Sequence, residues 1–282
     1  MLKDIKLGFS TGLKHWQIAL LVYFFQLCLA LTVGLQIFSI FESSIGNSLE
    51  INKLLQHYDY TVITDFLKVH GASITPLIGQ LRWLIIVYLL FAIFIDAGLL
   101  TAASKGKEAT LSTFWQGGAS YFFPFLKIAA VFFALFAGWT ALIFMPTLTY
   151  MQPALDYFPN EKYVIYGTFF CLFVYFMGLC LLFLWSVSSR FWKISHNDSV
   201  LSSLKNGWII FGKNKKAMWR LWAFFCALQV VLIAVYGLLE SYIGMTTPFL
   251  ILLVALIQQL FAFARVMLRQ ILYIGISSVI VP

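Results

Sequence analysis

Asp96 is the one acid of this chain set well inside an apolar run, in Phe94-Ile95-Asp96-Ala97-Gly98. An ionisable group at such a depth in a membrane is costly and needs either a partner or a task. The structural reading pairs it with Lys127 or Arg265, or hydrogen-bonds it near the inner interface, because Lys105 follows about two to three helical turns later. The functional reading is transport or proton relay, with the carboxylate turned to the bundle interior and small neighbours, Ala97 and Gly98, letting another helix approach. Amides form a second set. Gln17, Gln26 and Gln36 punctuate the first apolar run, and Gln229, Gln258 and Gln259 the last two. At these depths amides join helices by hydrogen bonds, and gathered together they can also line a polar cleft.

Cations make the third set. Arg190 and Arg265 stand at the inner ends of the fourth and sixth apolar runs, where they can snorkel, offset the negative end of a helix dipole and meet lipid phosphate. Around them Lys193, Lys205, Lys213, Lys215, Lys216 and Arg220 build the strongest electrostatic patch of the sequence. Its expected contacts are anionic headgroups, with an acidic protein partner as the second option. A fourth set, His57, Asp59, Asp65 and His70, holds residue types that bind metals or act as acid and base. Its spacing fits no zinc or hydrolase signature, so a solvated face is the simpler reading and no metal or cofactor is implied. Patterns for serine hydrolases, zinc proteases and phosphate-cradling loops are missing. His196-Asn197-Asp198-Ser199 reads as a cap and turn, since adjacent positions cannot present triad geometry.

These residues must be positioned by membrane helices. The chain has 282 residues, 61% of them hydrophobic and only 11% charged, far from the roughly even apolar share and quarter charged share of soluble domains. Six runs satisfy the about 20 residues a spanning helix needs: roughly 15–41, 83–103, 123–146, 163–188, 219–239 and 249–268. The expected fold class is an all-α, polytopic membrane protein forming one domain over 1–282, with its N-terminal segment retained. The four cysteines lie in apolar runs and read as packing residues.

Orientation follows from the cations. Lys3, Lys6, Lys14, Lys105, Lys107, Lys127, Arg190, Lys193, Lys205, Lys213, Lys215, Lys216, Arg220, Arg265 and Arg269 fall on one side, and only Lys53, Lys68, Arg82 and Lys162 on the other. The positive-inside rule then puts both termini in the cytoplasm. The net charge of +8 marks topology and attraction to lipid, not nucleic-acid binding.

A short string recurs. Leu201-Ser202-Ser203-Leu204-Lys205-Asn206-Gly207 resembles Leu111 to Gly117 and, more loosely, Leu2 to Gly8, each just ahead of an apolar run. The spacing predicts three short amphipathic helices in the inner interface, the third capped by Asn197 or Asp198, each feeding an outward span, an outer loop and a return span. The first outer loop, 42–81, is the long one. Its apolar spacing predicts amphipathic helices lying flat as a partial cap, broken at Gly71 and Pro76.

The three strings, with Lys213-Asn214-Lys215-Lys216 turning into a span, resemble the six-span membrane domain attached to some bacterial glycerophosphodiester phosphodiesterases and related stand-alone families of unknown function. The resemblance implies fold, topology and a bacterial inner membrane. It carries no catalytic residue across, since the hydrolase barrel has no counterpart here. Two functions follow as expectations: a non-enzymatic, lipid-associated scaffold or membrane-complex subunit, and a transporter or lipid-handling channel with a polar cleft around Asp96. An intramembrane enzyme would rest on the outer His and Asp cluster alone.

Overall fold

The computed structural model describes residues 2–45, 60–157, 160–243 and 247–280. Among these the chain is helical with short turns: α1 (Leu2–Lys14), α2 (Trp16–Ile45), α3 (Tyr60–Lys105), α4 (Leu111–Tyr157), α5 (Glu161–His196), α6 (Val200–Tyr242) and α7 (Pro248–Ile280). The helices α2 to α7 are the six long and apolar enough to cross a membrane, so the protein is an all-α, multi-pass membrane protein.

Several helices are longer than a bilayer requires. With 46, 47 and 43 residues, α3, α4 and α6 extend about 65–70 Å, against about 30 Å of hydrocarbon. The extra length corrects three expectations. Leu111–Gly117 and Leu201–Gly207 are not separate interfacial helices but opening turns of α4 and α6. Lys213-Asn214-Lys215-Lys216 interrupts the apolar pattern without interrupting the helix, because lysine is a good helix former and elongation is cooperative. Only α1 stands apart, ending at a turn where His15 N donates to the carbonyls of Thr11 and Gly12, both at 3.2 Å. Residues 60–81, expected as part of a flat cap, run straight into the second span as the start of α3, through Gly71 and Pro76. Residues 46–59 of that loop lie outside the described residues. The last span, expected over 249–268, continues to Ile280.

The turns are capped by short polar residues. Asn160 Oδ1 accepts from Lys162 N at 3.0 Å to open α5, and Thr247 Oγ1 accepts from Leu250 N at 3.3 Å, with Pro248 in the first turn of α7. Ser199, rather than Asn197 or Asp198, caps α6, its Oγ accepting from Ser202 N. Asn197 instead ends α5 in the left-handed region at φ 49°, a conformation asparagine tolerates.

Packing is uneven along the helix axes. One end, termed basal, gathers the C-terminal parts of α3, α5 and α7, the starts of α4 and α6, and α1. There Leu99, Phe114, Phe125, Leu184, Phe191, Phe225 and Ile276 are each at most 1% exposed. At the opposite, distal end Leu35, Phe38, Leu148, Phe170 and Phe249 are each more than 60% exposed. The glycines of the recurring string all lie basally against another helix. A Cβ on Gly117 would come within 2.4 Å of Thr101 of α3, one on Gly207 within 2.5 Å of the Ser189 backbone of α5, and one on Gly8 within 3.0 Å of the Ile271 carbonyl of α7.

Candidate functional site: a three-helix ion cluster beneath a cleft

The basal core holds a charged network at the meeting of α3, α5 and α7. Asp96 lies on α3 between buried Ile95 and Ala97. Its Oδ2 pairs with Arg190 Nη1 of α5 at 2.9 Å, and its Oδ1 pairs with Arg269 Nη2 of α7. The Tyr273 hydroxyl donates to the same Oδ1 at 3.2 Å and lies 3.4 Å from Arg269 Nε. Asp96 thus faces the bundle interior, but its partners are not those expected. Lys127 is exposed on α4, and Arg265 is exposed one turn short of Arg269. Helical phase and level decide this: Arg265 and Arg269 share a face of α7, and only Arg269 reaches the depth of Asp96.

The network also reassigns two members of the lipid-contact patch. The Arg190 side chain, 13% exposed, is committed to Asp96 and lies over the Phe125 ring, 5.6 Å from its centroid, so it does not snorkel. Lys193 is 7% exposed. Its Nζ donates to Asn197 Oδ1 at 3.3 Å and to the Asp198 carbonyl, so it pins the turn between α5 and α6 and does not reach a headgroup. Lys205, Lys213, Lys215, Lys216 and Arg220 remain exposed along α6, with Arg220 Nε donating to the Lys216 carbonyl at 3.1 Å.

Above the ion cluster, toward the distal end, the helices part around a cleft of about 530 Å³. Arg269 and Tyr273, the groups that hold Asp96, line it, and Arg265 stands on the same face of α7. Gln26 of α2, Tyr88 of α3 and Gln229 of α6 bring polar groups from other sides. Phe183, Trp222, Phe225 and Leu272 supply apolar wall. Three guanidiniums, those of Arg190, Arg265 and Arg269, therefore lie in or beside a site with a single carboxylate, a surplus of two positive charges.

The remaining amides divide between the two roles open to them. Gln258 Nε2 donates to the Tyr236 hydroxyl at 3.0 Å, tying α7 to α6. The Tyr23 hydroxyl donates to Gln259 Oε1 at 2.6 Å, tying α2 to α7. Gln26 and Gln229 line the cleft instead, and Gln36 joins Gln80 in a smaller one of about 100 Å³ between α2 and α3. Gln17 is exposed near the start of α2.

His57 and Asp59 lie outside the described residues, and Asp65 and His70 fall on α3 in a stretch whose side chains are not described. Among the described residues no group of three or more His, Cys, Asp or Glu comes together as a metal site. Arg269 and Tyr273 are the site residues the sequence reading passed over. Their signal is the four-residue step Phe261-Arg265-Arg269-Tyr273, which places all four on one stripe of α7. Compared with known proteins, the chain matches no family model, no curated protein and no solved structure.

Proposed function

We propose that this membrane protein handles lipid, admitting a lipid molecule from the bilayer into the cleft between its helices and passing it across or along the membrane. The observation that carries this reading is the cleft itself. A scaffold needs surfaces, whereas here about 530 Å³ of open volume runs down to Arg269 and Tyr273, which bind Asp96 directly. A buried charge network beneath a cavity between membrane helices is a frequent mark of a substrate path. The exposed cations of α6, from Lys205 to Arg220, suit contact with anionic headgroups beside the entrance. The bias of cations toward the basal end supports cytoplasmic termini. The matching placement of Gly8, Gly117 and Gly207 supports a bundle of three repeated hairpins, in keeping with the resemblance to the six-span bacterial membrane domains.

The test uses Cys226, which lines the cleft, in a variant carrying Cys28→Ser, Cys171→Ser and Cys180→Ser. In proteoliposomes the protein is expected to speed exchange of a fluorescent phospholipid between leaflets. A bulky maleimide on Cys226 is expected to return exchange to the protein-free rate. Exchange that is absent without the label, or unchanged after complete labelling, would sink the lipid-handling reading.

A further inference from the structure

We infer that the cleft selects its lipid by charge: it is a binding site for a phosphate-headed, anionic lipid, with the phosphate between Arg265 and Arg269 and the acyl chains against the aromatic wall. This rests on the lipid-handling reading and adds the ligand class to it.

The first ground is charge. Arg190 and Arg269 share the single negative charge of Asp96, and among the described residues no carboxylate pairs with Arg265. An unanswered guanidinium at the mouth of a cleft between membrane helices, away from bulk water, attracts an incoming anion.

The second ground is geometry. Arg265 and Arg269 are four residues apart on α7, so their side chains leave the helix on one face. Two like charges at that spacing repel. An oxyanion set between them turns the repulsion into paired charge-assisted hydrogen bonds, for which guanidinium and phosphate are well matched. Arg269 is already oriented by Asp96 and Tyr273, so little ordering is left to the ligand. Arg265, lying 5.8 Å from the Phe261 ring centroid, is the other half of the clamp.

The third ground is the wall. Trp222 and Phe183 present aromatic surface beside the arginines, which a free phosphate would leave unused and an acyl chain would cover. Gln26 and Gln229 add amide donors to the same lining, the group a lipid's ester oxygens can accept from. The volume suits a headgroup and the first part of the chains, with the rest leaving between the distal helices.

The experiment measures lipid binding to the detergent-solubilised full chain by native mass spectrometry. Phosphatidic acid and phosphatidylglycerol are expected to bind at least about tenfold more tightly than phosphatidylcholine, the scale of one added charge-assisted contact pair. Inorganic phosphate is expected to compete only weakly. Arg265→Gln should remove most of the preference and Arg265→Lys should keep part of it. Because Arg265 is exposed and outside the Asp96 network, both variants are expected to melt as the parent does. The triple variant Lys213→Gln, Lys215→Gln, Lys216→Gln should retain the preference. Equal affinity for charged and zwitterionic lipid overturns the ligand class, as does a preference lost in the lysine triple and kept in Arg265→Gln. Either result leaves the lipid-handling reading standing if labelled Cys226 still blocks exchange, and that reading falls separately if it does not.

Discussion

The basal and distal halves of the bundle are built from equally apolar helices, yet one is packed and the other is open. The same six helices, α2 to α7, each with a long window of mean hydropathy 2.1 to 2.5, supply both halves, so the apolarity of a helix does not decide where it packs. In a bilayer it would not be expected to, because lipid tails are as apolar as leucine and the hydrophobic effect gives helices no reason to prefer one another. What differs is small and polar content at the contacts. Basally, Ser188, Ser189 and Ser203 are fully buried, Gly207 meets the Ser189 backbone and Gly117 the Thr101 side chain, and Asp96 ties three helices. Distally, Gly34, Gly138, Gly167 and Gly237 have no neighbour within 4 Å of an added Cβ. The α4–α5 pair holds together somewhat further because Trp139 lies over Gly178 and donates through Nε1 to the Tyr175 carbonyl at 3.1 Å. The cleft occupies the zone where packing gives way to opening.

Paired substitutions test that contrast, one basal and one distal in each pair. The largest effect is expected for Asp96→Leu, which strands Arg190 and Arg269 without their carboxylate and should cost about 3–5 kcal/mol, against less than about 0.5 kcal/mol for Gln36→Leu. Thermal unfolding in lipid nanodiscs reads both, and equal shifts would break the comparison. Next, Phe114→Ala removes a side chain with 0% exposure and should cost about 3 kcal/mol through lost dispersion contacts and a residual cavity. Phe170→Ala, at a site 67% exposed, should be near neutral under the same unfolding measurement. The smallest pair is the sharpest. Gly207→Ala places a methyl 2.5 Å from the Ser189 backbone and should cost about 1–3 kcal/mol, whereas Gly237→Ala meets nothing and should gain about 0.5–1 kcal/mol. If Gly207→Ala also stabilised, close approach would not be what holds the basal half.

Much of the architecture was legible because it rests on composition and local period. The six spans follow from apolar length, and the isolated acid Asp96 marks the site. What stayed hidden depends on relations between distant helices. Arg190 and Arg269 lie 94 and 173 residues from Asp96 in the chain, and no local pattern sets the relative depth and rotation of three separate helices. Charge misled where it looked like punctuation: Lys213 to Lys216 reads as a loop, but an exposed lysine run is compatible with a continuous helix. The last helix was cut short at 268 because 20 apolar residues already satisfied a bilayer. Ile271 to Ile276 extends it, and those residues are buried against α1 and other basal helices, not lipid.

The contact of α1 with α7 also bears on the order in which the protein can be made. Gly8 and Gly12 pack on Ile271, and Gln270 Nε2 donates to the His15 carbonyl at 3.2 Å, so α1 meets this partner only after the five helices between them have been synthesised. Until then the glycine face of α1 lacks its cover from Ile271, and the three-way junction at Asp96 lacks Arg269. A nascent chain that has made α3 and α5 but not yet α7 therefore holds Asp96 with Arg190 alone, and the seam along α1 stays open until α7 closes both at once.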